Sequence, residues 1–269
     1  MVRPPAVAGR FYPSEPGELA RQVDSLCSDP ATGIKIRALG CVVPHAGYMY
    51  SGHVAGAVYA SIEIPERCIL LGPRHFPQGQ PLAILTEGSF ATPFGEASID
   101  CPLAVELARS DPLLREDPVA HQQEHSLEVQ IPFLQRLVNG FRFVPVVLAS
   151  DRYGALEELG RAVAGIVKSC PERVLVIASS DMNHYENDTI TRAKDSRAIE
   201  RILALDPRGL YDVVRNEGIS MCGYAATTAM LVAVVELGAK QAKLIRYATS
   251  GEVSGDHEHV VGYAGITVS

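Results

Sequence analysis

Short apolar runs alternate with stretches of helical period along this chain. Gly40-Cys41-Val42-Val43-Pro44 is apolar and stops at His45, Arg67-Cys68-Ile69-Leu70-Leu71 stops at Gly72-Pro73, and Pro81–Thr86 is a third run. Phe141–Ala149 and Arg173–Ala178 are apolar almost throughout, the pattern of strands covered on both faces. Between these runs, apolar residues at three- and four-residue spacing predict helices over Glu15–Ser25, Gly52–Ile62, Pro102–Arg109, Glu124–Val138, Tyr153–Lys168, Thr189–Ala204 and Gly223–Leu237, with a shorter one after Pro207. Pro132 should kink the Glu124–Val138 helix or mark a helix start. Gly88–Gly95, punctuated by Gly and Pro, predicts an excursion loop. Lys243–Thr249 and His259–Val268 follow one another without a helix, which predicts an antiparallel pair at one end of the sheet. The alternation predicts an α/β fold: one domain over residues 1–269, with a mixed, mostly parallel sheet covered by helices on both faces.

Composition changes this picture little. The chain has 269 residues, 47% of them hydrophobic and 20% charged, which excludes a disordered protein. A chain of this length buries roughly three quarters of its unfolded surface and needs no disulfide staple. The net charge of −7 comes from interspersed acids and bases, so no basic footprint for nucleic acid is expected. No apolar stretch reaches the ~18 residues of a membrane span. The segment Met1–Pro16 lacks an apolar core and does not read as a signal peptide. Six scattered cysteines (Cys27, Cys41, Cys68, Cys101, Cys170 and Cys222) form no C-x-x-C pair, which predicts reduced thiols and a cytoplasmic protein.

The candidate chemistry lies where strands end, the place where open α/β sheets bind ligands. His45 follows one strand in PHAGYMYSG, His75 another in LGPRHF, and Asp181 and His184 a third in SSDMNHY. Neutral imidazole is a common ligand for zinc, iron, copper and nickel, so imidazoles gathered from separate strands predict a preformed metal site. Cys222 opens an apolar helix in SMCGYAATTAM, where a helix N-terminus would lower its pKa; the alternative is a small buried hydrophobe. His121-Gln122-Gln123-Glu124-His125 matches the H-x-x-E-H pattern of inverted zinc peptidases, which needs both histidines on one helix face. Pro118 just upstream argues that His121 precedes the helix. Glu124, Ser126 and Glu128 also suit a helix start, and His125 can still point into the site. Tyr48 and Tyr50 either line a pocket or pack. His53, His257 and His259 have no matching context. The chain has no P-loop, dinucleotide fingerprint or nucleophile elbow.

The motifs AGRFYPS, PHAGYMYSG, LGPRHF, TPFGE, EHSLEVQIPFL, SSDMNHY and MCGYAAT occur in the same order in the Memo family, which the chain resembles from about Val2 to its C-terminus. The resemblance implies a fold similar to the class III extradiol dioxygenases, non-haem iron enzymes that use two histidines and a carboxylate with a further histidine as acid/base. On that basis His45, His75 and Cys222 are the implied metal ligands, Cys222 standing where the dioxygenases carry a carboxylate. His184 is the implied proton-transfer residue, with Asp181 beside it, and Phe11 an implied pocket wall. A two-histidine, one-thiolate set is softer than the dioxygenase triad: it implies Fe(II), with Cu or Zn also suited. The family also implies a metal-binding redox role or a peptide- or small-ligand-binding one, and a radical-SAM protein of the same gene set as a partner.

Overall fold

The computed structural model describes residues 1–28 and 35–269. The first half runs β1 (Val2–Arg3), α1 (Pro16–Leu26), β2 (Gly40–Val43), α2 (Tyr48–Ser61), β3 (Arg67–Pro73), β4 (Leu82–Ile84), β5 (Ser89–Thr92), β6 (Gly95–Ile99), α3 (Cys101–Ser110), β7 (Arg115–Glu116), α4 (Pro118–Gln122) and α5 (Ile131–Leu137). The second half runs β8 (Arg142–Leu148), α6 (Tyr153–Ser169), β9 (Val174–Ser179), β10 (His184–Glu186), α7 (Asp188–Leu203), α8 (Pro207–Asn216), α9 (Tyr224–Glu236), β11 (Ala242–Thr249), α10 (Gly251–Ser254) and β12 (Val260–Val268).

Among the described residues, one mixed sheet of 12 strands organises the molecule, in the order β1-β5-β6-β8-β3-β9-β2-β12-β10, with β11 also on β12, β4 on β8 and β7 on β4. Its centre, β8-β3-β9-β2, is parallel, and its residues are almost all buried because helices cover both faces. Missing side chains show which helix covers which face. Gly40 admits Met230 and Val234 of α9 against β2, whereas Gly265 admits Val54 and Val58 of α2 against the opposite face of β12. Helix α9 is buried nearly all round, between the sheet and α6, which explains its lack of a polar stripe. Acidic or amide side chains cap the helix starts: Glu15 for α1, Asp100 for α3, Asn187 for α7 and Asp206 for α8 each accept from backbone N–H groups. The predicted closing pair is present as β11 and β12, antiparallel and joined to β2 through residues Ile266–Val268.

Two expectations are corrected. Gly88–Gly95 is not a loop: β5 and β6 form an antiparallel hairpin whose tight end, Thr92 to Gly95, uses Gly95 at φ +101°. The predicted helix over Glu124–Val138 is shorter, because Glu124 to Leu127 are irregular and Pro132 sits in the first turn of α5. Among the described residues no helix is long and apolar enough to cross a membrane.

Candidate metal centre

The strand ends of β2, β3 and β9 converge, and the irregular segment before α5 brings a fourth element to the same place. His45 leaves β2 and is buried, His75 leaves β3, and His125 comes from the Glu124–Leu127 segment. Their rings meet at centroid distances of 5.2 Å (His45–His75), 5.6 Å (His45–His125) and 4.5 Å (His75–His125). One nitrogen from each lies within 4.8 Å of the other two, a grouping that could hold a metal ion.

The surrounding hydrogen bonds fix which nitrogen each ring offers. Ser179 Oγ donates its one hydrogen to the Ser126 carbonyl (2.6 Å) and accepts from Gln130 Nε2 (2.9 Å). It can therefore only accept from His45 Nδ1 (2.9 Å), so His45 carries its proton on Nδ1 and presents a bare Nε2. Gln130 is held in turn, donating to the Pro44 carbonyl and accepting from Tyr59 Oη. His75 Nδ1 donates to Glu124 Oε1 (2.9 Å), a carboxylate oxygen that can only accept, which leaves Nε2 free there too. The other Glu124 oxygen takes the His75 backbone N–H, and Oε1 also takes that of Ser126.

Electrostatics favour neutral donors in two of the three rings. Burial holds His45 well below the ordinary imidazole pKa, with His125 and His75 adding to the effect. Burial likewise lowers His125. For His75 burial pulls down, but the hydrogen bond and charge of Glu124 outweigh it and the pKa is raised. Burial would raise Glu124; its His75 and His125 neighbours and the backbone N–H instead bring it down to about 2. The donor set fits a borderline ion such as zinc, iron or copper.

Beside the three rings is a cavity of about 380 Å³, lined by Asp181 and His184 as well as by Phe11, Met49, Tyr50 and Tyr263. Asp181 Oδ1 accepts the His45 backbone N–H (2.8 Å), and burial raises its pKa. His184 Nδ1 lies 2.9 Å from the Ser220 carbonyl, an acceptor, so Nε2 is its working nitrogen. Ser220 Oγ also accepts the His184 backbone N–H (2.7 Å) and meets Asn183 Oδ1 at 3.0 Å. The Asn183 backbone N–H donates to Asp195 of α7 (2.8 Å), whose other oxygen accepts from Tyr247 Oη (2.7 Å). Burial raises Asp195 to about 7, its neutral donors offsetting only part. Phe11 meets His125 edge-on, with centroids 5.0 Å apart.

Cys222 stands next to this group. Its Sγ is 3.3 Å from His45 Nε2 and 3.3 Å from the Asp181 backbone nitrogen, but it is outside the set of three mutually close ligand atoms. The expected lowering of its pKa is reversed: Cys222 precedes the α9 N-cap Gly223, and burial together with the Asp181 charge pushes the thiol up. Gly223 is required there, since an added Cβ would collide with the Ser179 carbonyl and the Ser180 side chain. Tyr48 is also corrected. It is buried against Tyr12 and Phe133 and donates to the Val129 carbonyl, while Tyr50, on another side of α2, lines the cavity. The H-x-x-E-H helix does not form. Helix α4 ends at Gln122, and His121 is buried near Phe90 (6.3 Å between centroids), away from the His125 cluster.

A match to the Memo-like protein family extends over residues 3–267. The chain belongs to the Memo family. The MEMO1 family protein of Methanosarcina barkeri is 42% identical over 271 residues, covering 99% of this chain and 100% of its own length. That of Methanopyrus kandleri is 40% identical, covering 99% and 98%. An uncharacterized protein of Escherichia coli K12 shares the fold, with a TM-score of 0.56 and 11% identity over 86% of this chain and all of its own.

Within this Memo-family chain, the sequence motifs reached the side chains that leave strands but not those that brace them. Gln130 and Ser179 looked like ordinary helix and strand residues. Arg3 gave no signal, and Glu128 read only as an acid suited to a helix start. The buried Arg3 guanidinium donates to the carbonyls of His121 (2.7 Å) and Glu124 (2.5 Å) and pairs with Glu128 (2.6 Å). Glu128 also accepts from the Ala6 and Val7 N–H groups and from Tyr12 Oη. The one local signal was the acid beside His125, since a carboxylate next to a ligand histidine is a common way to orient such rings.

Proposed function

We propose that this protein is a metal-dependent oxidoreductase in which His45, His75 and His125 hold a non-haem iron or copper ion and a small organic substrate occupies the adjoining cavity. The observation that carries the reading is the cluster of three imidazole nitrogens, two with tautomers set by Ser179 and Glu124, opening on that cavity. When bound, such an ion supplies Lewis acidity and electron exchange with oxygen. The chain supplies the rest. Phe11, Tyr50 and Tyr263 keep water from the substrate's apolar body, Asp181 fixes the His45 backbone, and His184 Nε2 takes and returns a proton while Ser220 holds the other ring nitrogen.

The proximity of Cys222 Sγ to His45 Nε2 favours a second version of the ligand set, with Cys222 as the third donor in place of His125. Metal analysis of protein purified aerobically and anaerobically, followed by Cu(II) spectra, separates the two. A thiolate charge-transfer band lost in Cys222→Ser assigns the sulfur; its absence, with binding weakened in His125→Ala, assigns the imidazole. If the His45→Ala/His75→Ala double variant binds as much iron as the parent, both versions fail. Oxygen consumption over a panel of catechols tests the chemistry, with turnover lost in His184→Ala as the expected result. Metal-loaded protein that consumes no oxygen with any of them points to a non-catalytic module binding a peptide or small ligand in the same pocket.

A further inference from the structure

The turn before α1 holds one side chain of the cavity that neither the metal cluster nor the proton relay uses. Gly9 at φ +77° lets the chain reverse, and the turn closes through Gly9 N–H to Tyr12 O (2.8 Å), Arg10 N–H to Val7 O (3.0 Å) and Phe11 N–H to Val7 O (2.9 Å). It is tied to the body of the protein at both ends. Val7 N–H donates to buried Glu128, and the Phe11 carbonyl accepts from Tyr48 N–H (2.7 Å). Phe11 and Arg10, side by side on this rigid turn, both line the cavity.

Arg10 is the only permanently charged cation among the described residues lining it. One of its five N–H donors reaches the Ala6 carbonyl (3.1 Å), and among the described residues no carboxylate pairs with it. The contrast with Arg3, Arg67 and Arg136 is clear, since each of those is paired with an acid. At the exposed mouth of the cavity, a backbone turn held by hydrogen bonds therefore offers a guanidinium with no carboxylate partner among the described residues, beside apolar walls of Phe11, Met49, Tyr50 and Tyr263. A planar fork of donors matches a carboxylate bidentately. The Asp181 carboxyl in the same lining weighs more heavily against a dianionic phosphate than against a monocarboxylate.

From this geometry we infer that the cavity selects a small organic monocarboxylate, whose carboxylate pairs with Arg10 while its apolar body packs against Phe11, Met49, Tyr50 and Tyr263. The inference rests on the reading of this cavity as the substrate site of the metal centre and names the substrate class. Arg10 is then a specificity residue: it sets which molecule enters, not the chemistry.

The test is calorimetric titration of the purified full chain with benzoate, its neutral isostere benzamide, and phenyl phosphate. Benzoate is expected to bind at least about tenfold more tightly than benzamide. Arg10→Gln should erase that ratio and Arg10→Lys should keep part of it, with thermal midpoints checked to show that both variants fold. Equal binding of benzoate and benzamide, a ratio that survives in Arg10→Gln, or no saturable benzoate binding overturns the inference. Phenyl phosphate binding more tightly than benzoate overturns the carboxylate assignment. Co(II) titration of the same preparations keeps the two readings apart. A parent that binds no metal defeats the proposed function while the benzoate ratio still decides the role of Arg10, and an Arg10→Gln variant that binds Co(II) normally but has lost the ratio supports it.

Discussion

Two buried carboxyls stand behind the histidines of the site, and their chemistry has opposite sign. Glu124 braces His75 directly, and Asp195 braces His184 through Asn183 and Ser220. Burial raises the pKa of both. Glu124 faces imidazoles that can carry positive charge and ends at about 2, whereas Asp195 faces only neutral donors, the Asn183 N–H and Tyr247 Oη, with Arg192 more distant, and stays at about 7. Burial alone therefore does not decide whether a carboxyl inside this fold is an anion; the charge available to its partners does.

The largest test of this contrast is the pH dependence of stability, measured by chemical denaturation of the metal-free protein. Asp195 has a folded pKa raised from 3.8 to about 7, so the folded state holds its proton longer than the unfolded chain. Stability should fall as pH rises across that interval, by about 4 kcal/mol at most. Asp195→Asn should flatten this limb. Glu124 is depressed from 4.5 to about 2, so its contribution is complete above 4.5 and is lost as pH falls towards 2, by about 3 kcal/mol at most. From these two groups alone, stability peaks near pH 4–5, and a flat profile across both windows would contradict the assignment. Next in size, Glu124→Gln should weaken Co(II) or Fe(II) binding by roughly 10–100-fold, because it frees the His75 ring, while Asp195→Asn should leave metal binding close to the parent's. The smallest effect is expected for Ser220→Ala, about 1 kcal/mol of stability from the lost hydroxyl hydrogen bonds, with metal content unchanged. Loss of metal in that variant would mean that the two halves of the site are coupled.

How far the sequence could be read follows the same division. The α/β alternation was legible because β2, β3, β8 and β9 are covered on both faces and read as plain apolar runs. His45, His75, Asp181 and His184 were legible because a strand end is visible in the sequence. The β5–β6 hairpin was not, since Gly88, Pro93 and Gly95 obscure strands of four and five residues whose pairing is visible only once Phe90 faces Ala97. Tyr48 and Tyr50 were indistinguishable until the orientation of α2 was known. His125 joins the two strand-end histidines because Glu124 to Leu127 leave the helical path, and helix propensity alone predicts that they would stay on it. The bracing groups Ser179 and Gln130 act across tens of residues, beyond the reach of any local pattern, whereas Glu124 is signalled by its place beside His125.

The grip of Glu128 on the N-terminal segment has a consequence for how the molecule comes into being. Arg3 and its carboxylate partner are 125 positions apart. At ribosomal speeds of about 5–20 residues per second, the first turn of the chain waits roughly 6–25 s for the acid that will anchor it. Until then the cavity lacks the wall formed by Arg10 and Phe11. A fusion or trimming that disturbs the first few residues therefore loosens both the Arg10–Phe11 wall of the cavity and the His121–Glu124 segment whose carbonyls Arg3 holds.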